Sequence, residues 1–122
     1  MVENEIELVN AVNNAIEPTI ITLARDIILT GALIIPDNKD ITLTSNNNAK
    51  FFKLIRADSC NTIIVDKGGT LKLDGIIITH NAGSFGTGIT VNSGGQLTMI
   101  DGEISGNNGG NGYGDVYVVG PL

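Results

Sequence analysis

Gly68-Gly69-Thr70-Leu71-Lys72-Leu73 and Gly94-Gly95-Gln96-Leu97-Thr98-Met99 state one pattern twice, 26 residues apart from Gly68 to Gly94. The echo extends outward on both sides. Ile63-Ile64-Val65 precedes the first glycine pair as Ile89-Thr90-Val91 precedes the second, and Asp74-Gly75 and Asp101-Gly102 follow them. Each copy closes on an asparagine, Asn81 and Asn107. Self-similarity at a period of this size marks stacked repeats, here built from short strands and glycine turns.

Away from the repeat, the same period-two alternation continues. Ile21 and Leu23, Ile27 and Leu29, Leu33 and Ile35, and Ile41 and Leu43 alternate with polar or small residues. Phe52 with Leu54, Ile76 with Ile78, Ile104, and Val116 with Val118 complete the set. Turn chemistry separates the runs: Ala24-Arg25-Asp26, Pro36-Asp37-Asn38-Lys39, the polar stretch from Ser45 to Asn48, and the glycine pairs. One strand per circuit, placed on a common wall, gives the series Ile21, Ile41, Ile63, Ile89 and Val116. Such steps suit three short strands with their bends. A sandwich of hairpins linked by Asp74-Gly75 and Asp101-Gly102 is the competing layout. It makes the hairpin from Leu71 to Ile78 too short and leaves the longer repeat unexplained.

Residues 4–16 read as a helix, with Leu8, Val9, Val12, Ala15 and Ile16 forming one apolar stripe. Asn4 followed by Glu7 has the spacing of a capping box, and Pro18 stops the helix. Its use is to cover the open first rung of a solenoid. The expected fold is therefore all-β: a short single-stranded parallel β-helix of about four to five rungs with an N-terminal capping α-helix. Residues 1–18 supply the cap and 19–122 the rungs. At ~4.8 Å between strands the stack is roughly 20 Å tall.

Composition agrees. The 122 residues are 42% hydrophobic but only 4% aromatic, with 16 Gly and no Trp. A thin core of stacked Ile, Val and Leu needs few rings. A net charge of −6 excludes a nucleic-acid partner, which demands basic patches, and disfavours an anionic membrane surface. No run reaches the ~18 apolar residues of a membrane span. Cys60 is alone, so no internal disulfide is expected. The first residues are acidic and lack a continuous apolar stretch, unlike a signal peptide.

Two segments, Glu7-Leu8-Val9-Asn10-Ala11-Val12 leading into Thr19 to Ile27, and Gly68 to Gly75 continuing through Ile78-Thr79-His80-Asn81, carry a resemblance. The chain is similar, over residues 5–109, to the pectate-lyase-like adhesive domain found in large surface proteins of Gram-positive bacteria. The resemblance implies a capping helix opening a right-handed parallel β-helix, and an extracellular or cell-surface location with signal and anchor outside this chain. It transfers no functional residue.

Few residues could carry chemistry. Asp74 and Asp101 occupy matching turns and are the candidate Ca²⁺ ligands; the competing reading has each accept backbone N–H groups in its own turn. Six to eight oxygens are not in sight, so no cofactor is expected. A polysaccharide lyase needs an acidic Ca²⁺ cluster and a base. The available bases are Arg25, Lys39, Lys50, Lys53, Arg56, Lys67 and Lys72; Arg56 lies beside Asp58 with no acidic pair matched to it, and its plainer reading is a solvated turn residue. His80 is the sole histidine and reads as a turn residue, replaced by Gly106 in the second copy. Asn81 and Asn107 read as an internal asparagine ladder. Cys60 has no activating partner in view. The glycines from Gly106 to Gly114 lack the ending of a phosphate loop and read as a bend. Outward Thr22, Thr42, Thr90 and Thr98 are too irregularly spaced for an ice-binding array.

The expected function is a non-catalytic surface or adhesin-like module that binds a host glycan or protein. The alternatives are a polysaccharide lyase-like enzyme and a structural stalk segment. Val116 to Leu122 shows no second cap, so self-association through the C-terminal rung, or continuation into another domain, is also expected.

Overall fold

A computed structural model describes residues 1–47, 49–84, 86–107 and 115–119. Among the described residues one helix, α1 (Glu5–Asn14), is followed by ten strands: β1 (Thr19–Leu23), β2 (Ile27–Leu29), β3 (Leu33–Ile35), β4 (Asp40–Ser45), β5 (Lys53–Arg56), β6 (Ile63–Val65), β7 (Thr70–His80), β8 (Ile89–Val91), β9 (Gln96–Ile104) and β10 (Val116–Val118). All strand pairs are parallel. They form a β-helix of four turns with three walls. Wall 1 stacks β1, β4 and the first halves of β7 and β9. Wall 2 stacks β2, β5 and the second halves of β7 and β9. Wall 3 stacks β3, β6, β8 and β10.

Alternation along each strand decides what faces the lumen. Ile21, Leu43, Leu73 and Met99 stack on wall 1, with Ile41, Leu71 and Leu97 beside them. Ile27, Leu54, Ile78 and Ile104 stack on wall 2. Leu33, Ile63, Ile89 and Val116 stack on wall 3, next to Ile35, Val65, Val91 and Val118. One core holds the buried members of these ladders together with Leu8 and Val12 of α1. Each fully buried aliphatic side chain contributes about 1.5–3 kcal/mol against its ordering cost.

The wall assignment corrects one expectation. Ile63, Ile89 and Val116 share a wall, but Ile21 and Ile41 do not join them: Ile21 pairs with Leu43 and Ile41 with Leu71, both on wall 1. The reason is unequal circuits. The second turn carries the connection 46–52 between walls 1 and 2, where the third turn spends only Gly75, so a period taken from the later copies cannot be carried back. Ser45 Oγ pins that connection, donating to Gly75 O (2.7 Å) while accepting from Phe52 N (2.8 Å).

The glycine pairs turn the chain from wall 3 to wall 1. Gly68 (φ 81°) and Gly94 (φ 88°) take the left-handed conformation, and Asn38 (φ 69°) holds the same place one turn earlier. Asn38 N donates to Gly68 O and Gly68 N to Gly94 O, while Lys39, Gly69 and Gly95 each close the turn onto the residue three before. Asn38-Lys39-Asp40-Ile41-Thr42-Leu43 is thus a further copy of the repeat. Its signal in the sequence is the asparagine, the side chain that best tolerates positive φ outside glycine.

At the N-terminal end Asn4 caps α1, its Oδ1 accepting from Glu7 N (2.9 Å). Glu7 returns its carboxylate to Glu3 N (2.8 Å) rather than to the cap residue itself. Leu8, Val12 and Ala15 are buried as the stripe predicts, but Ile16 is 94% exposed because the helix has ended before it. Lys39 Nζ donates to Asn13 O and Ala15 O at the helix C-terminus.

Glu5 fastens the cap to the first turn, accepting from Thr30 N (2.9 Å), Thr30 Oγ1 (2.8 Å) and Gly31 N (3.1 Å). Burial opposes its ionisation, but the bonds from Thr30 and Gly31 outweigh that, and the carboxyl is held below its ordinary value. A depressed folded-state value means this stabilisation is present above the unfolded value and is lost as pH falls through the folded one. Glu5→Gln is expected to lower stability by about 1 kcal/mol at neutral pH. The gap to the parent chain should close in urea titrations at about pH 2, beneath the carboxylate range.

Candidate functional site

Two regions concentrate polar side chains. The first is the outer face of wall 1. Residues that alternate with the lumen side chains form three outward columns: Asp40, Thr70 and Gln96; Ile20, Thr42, Lys72 and Thr98; and Thr22, Thr44, Asp74 and Asp101. Parallel register fixes neighbours ~4.8 Å apart along each column. Lys72 Nζ lies 3.9 Å from Asp40 Oδ1, a surface pair of little energetic weight. The outer columns of the other walls are more apolar: Ile28 and Ile55 on wall 2, Ile34 and Ile64 on wall 3.

Asp74 and Asp101 do stand in register on adjacent turns. The ladder reaches that alignment through paired irregularities: Ile100 is the extra residue in β9 and Gly75 the extra one in β7. Asp101 Oδ1 accepts from its neighbour Gly102 N (2.9 Å), the turn-local bond of an Asp-Gly step. Among the described residues no group of three or more His, Cys, Asp or Glu side chains converges as a metal site would require.

The second region is the corner from wall 2 to wall 3, where the connections lengthen from 30–32 to 57–62 to 81–88. Here two expectations are corrected. Arg56 is no solvated turn residue. It ends β5 at 5% exposure, in register between Leu29 and His80, with Nε donating to Asp58 Oδ1 (2.7 Å) and Nη1 to Asn61 O (2.8 Å). His80 is likewise no turn residue but the last residue of β7, 6% exposed. Its Nδ1 meets Asn107 Oδ1 (2.6 Å) and its Nε2 meets the carbonyl oxygen of Cys60. A polar side chain that closes an apolar run reads as the start of the turn, whereas here it is the last lumen residue of its strand. Arg56 finds its partners on the connection that directly follows it and His80 on loops 20 and 27 residues away, and these bonds offset the cost of burial.

Asn81 and Asn107 each donate to a carbonyl of the turn beneath, Ala57 O (3.4 Å) and Ile78 O (3.1 Å), but they form no internal ladder. Asn81 is exposed, while Asn107 is half-buried and also donates to Asp115 Oδ1 (3.1 Å). Cys60 is exposed, its backbone carbonyl rather than its thiol serving His80. Thr22, Thr42 and Thr98 lie on wall 1 and Thr90 on wall 3, so the four share no single face. Of the bend from Gly106 to Gly114, residues 108–114 lie outside the described residues, as does Asn48 of the polar loop.

No buried side-chain nitrogen or oxygen among the described residues lacks a partner. The described polar groups of the corner are thus satisfied, and its hydrogen bonds join the loops of successive turns. Wall 1 is the face whose polar groups point to solvent in a regular array. No family model matches the chain, and neither a curated protein nor a solved structure matches it.

Proposed function

We propose that the chain is a non-catalytic, surface-type binding module that lays a neutral or amine-bearing glycan along wall 1. The observation that carries this is the in-register lattice of hydroxyl, carboxylate, amide and ammonium groups in the three outward columns. Such groups offer donors and acceptors in the alternation that sugar hydroxyls use. The charge selects among glycans. Asp40, Asp74 and Asp101 outnumber Lys72 on this face, and the whole chain carries −6, so a polyuronate is repelled. The same repulsion weighs against the lyase alternative, and Arg56, one of its candidate bases, is committed to Asp58 and Asn61.

A protein ligand is the second reading, favoured by the half-exposed isoleucine columns on walls 2 and 3. A glycan array holding neutral, amino and uronic-acid polymers separates these. Saturable binding to the first two classes is expected. Thr42→Val and Lys72→Ala are expected to weaken it at least ten-fold, and Thr90→Val on wall 3 to leave it unchanged. Retention of no glycan, or binding indifferent to the wall 1 variants, defeats the proposal. Calcium-dependent cleavage of polygalacturonate would restore the lyase, and the absence of any ligand would leave a stalk.

A further inference from the structure

The fourth turn differs from the three beneath it. Its lumen-facing residues are open: Met99 is 43% exposed, Val116 and Val118 are exposed, and Leu97 and Ile104 are only half-buried. Its strands are paired on one side alone. Among the described strands, β9 pairs with β7 and β10 with β8, and neither has a neighbour on its other edge. An unpaired parallel edge above apolar side chains accepts an added strand through main-chain hydrogen bonds.

Charge decides what kind of strand fits. Lys72 is the last Lys or Arg in the sequence, while Asp74, Asp101, Glu103 and Asp115 follow it. Three of those acids lie on the fourth turn. The opposite end of the molecule is acidic as well, with Glu3, Glu5, Glu7 and Glu17 in and beside α1. The cations at that end are engaged: Arg25 with Glu3 at 3.1 Å, and Lys39 with the carbonyls of Asn13 and Ala15. A second copy therefore meets the open turn with acids whether it arrives by its own open turn or by its capped end. The self-association expected from the sequence is opposed by charge in both arrangements.

We propose that the open edge of β9 over Gln96–Asp101 is a docking site for an extended segment of another protein, apolar at alternate positions and flanked by Lys or Arg. Its alternate apolar side chains cover Leu97 and Met99. Its basic flanks lie beside Asp101 and Glu103. The site adjoins the glycan lattice and shares Gln96, Thr98 and Asp101 with it, but it rests on the main-chain edge and on the lumen-facing Leu97 and Met99, which the lattice does not use.

Two synthetic peptides test it against the intact chain. Both alternate threonine and valine; one is flanked by lysine pairs and the other by glutamate pairs. The lysine-flanked peptide is expected to bind at least ten-fold tighter, with affinity falling at high salt. It should shift the Met99 methyl resonance and the amide resonances of Gln96 to Asp101 while leaving those of α1 in place. Met99→Lys, at a position already exposed and thus compatible with folding, is expected to reduce binding at least ten-fold. Equal affinity for the two peptides, no binding of either, or shifts confined to other walls overturns the proposal. So does a dimer seen in sedimentation at neutral pH whose formation alone moves the Met99 resonance, since a second copy is then the occupant.

Discussion

Leu73→Asp is expected to abolish folding, whereas Met99→Asp, in the same lumen column one turn higher, is expected to cost about 1 kcal/mol or less. Leu73 is fully buried, between Leu43 beneath it and Met99 above. A carboxylate there has no cation in the aliphatic lumen, and an uncompensated buried charge costs about 3–5 kcal/mol on top of the packing lost. Since small domains are stable by only about 5–15 kcal/mol, that removes most of the margin. Met99 faces the open end, where water reaches a carboxylate directly. Far-UV circular dichroism and urea unfolding of the two variants measure the contrast. Equal losses would mean that the fourth turn is sealed as tightly as the third, and the docking edge would go with it.

The second large effect lies in a glycine pair. Gly69→Ala is expected to destabilise the chain by about 3 kcal/mol, while Gly31→Ala is expected to be neutral or to stabilise by up to about 1 kcal/mol. A Cβ on Gly69 would press into Ile35 O, Pro36 O and Asp66 O, all backbone atoms of tightly stacked turns. None of these can swing aside as a side chain end would. Gly31 has nothing within 4 Å of the added carbon and no positive φ, so alanine there only restricts the unfolded chain. Urea midpoints of both variants check the prediction. A Gly69→Ala chain as stable as the parent would show that the turns are not packed backbone to backbone at this corner. Asn38→Gly, at the matching turn below, should stay within about 0.5 kcal/mol because either residue accepts the conformation.

Why some positions were legible and others not follows from which contacts decide them. Alternation placed Leu33, Ile35, Ile63, Val65, Leu71 and Leu73 in the lumen because strand geometry alone sends every second residue inward. The repeat around Gly68 and Gly94 was visible because glycine is nearly unique in its backbone freedom. The equivalent turn at Asn38 was hidden by a substitution that keeps the conformation but not the letter. Arg56 and His80 read as turn residues because a polar side chain after an apolar run looks solvated until its partners are known. Asn61 reaches Arg56 only because the connection after β5 folds back on it, and Cys60 and Asn107 reach His80 from the turns below and above. The regular array of wall 1 was equally out of reach, since a column such as Thr22, Thr44, Asp74 and Asp101 has no constant spacing along the chain.

The amino-acid sequence by itself determined that this chain coils into a parallel β-solenoid closed at its start by a helix, because backbone alternation, turn residues and a cap are local and additive. Only the tertiary structure decided which wall each strand joins, which polar side chains are buried, and which face and edge remain free for partners. Connections of unequal length set the register between turns, and their lengths acquire meaning only when the turns stack.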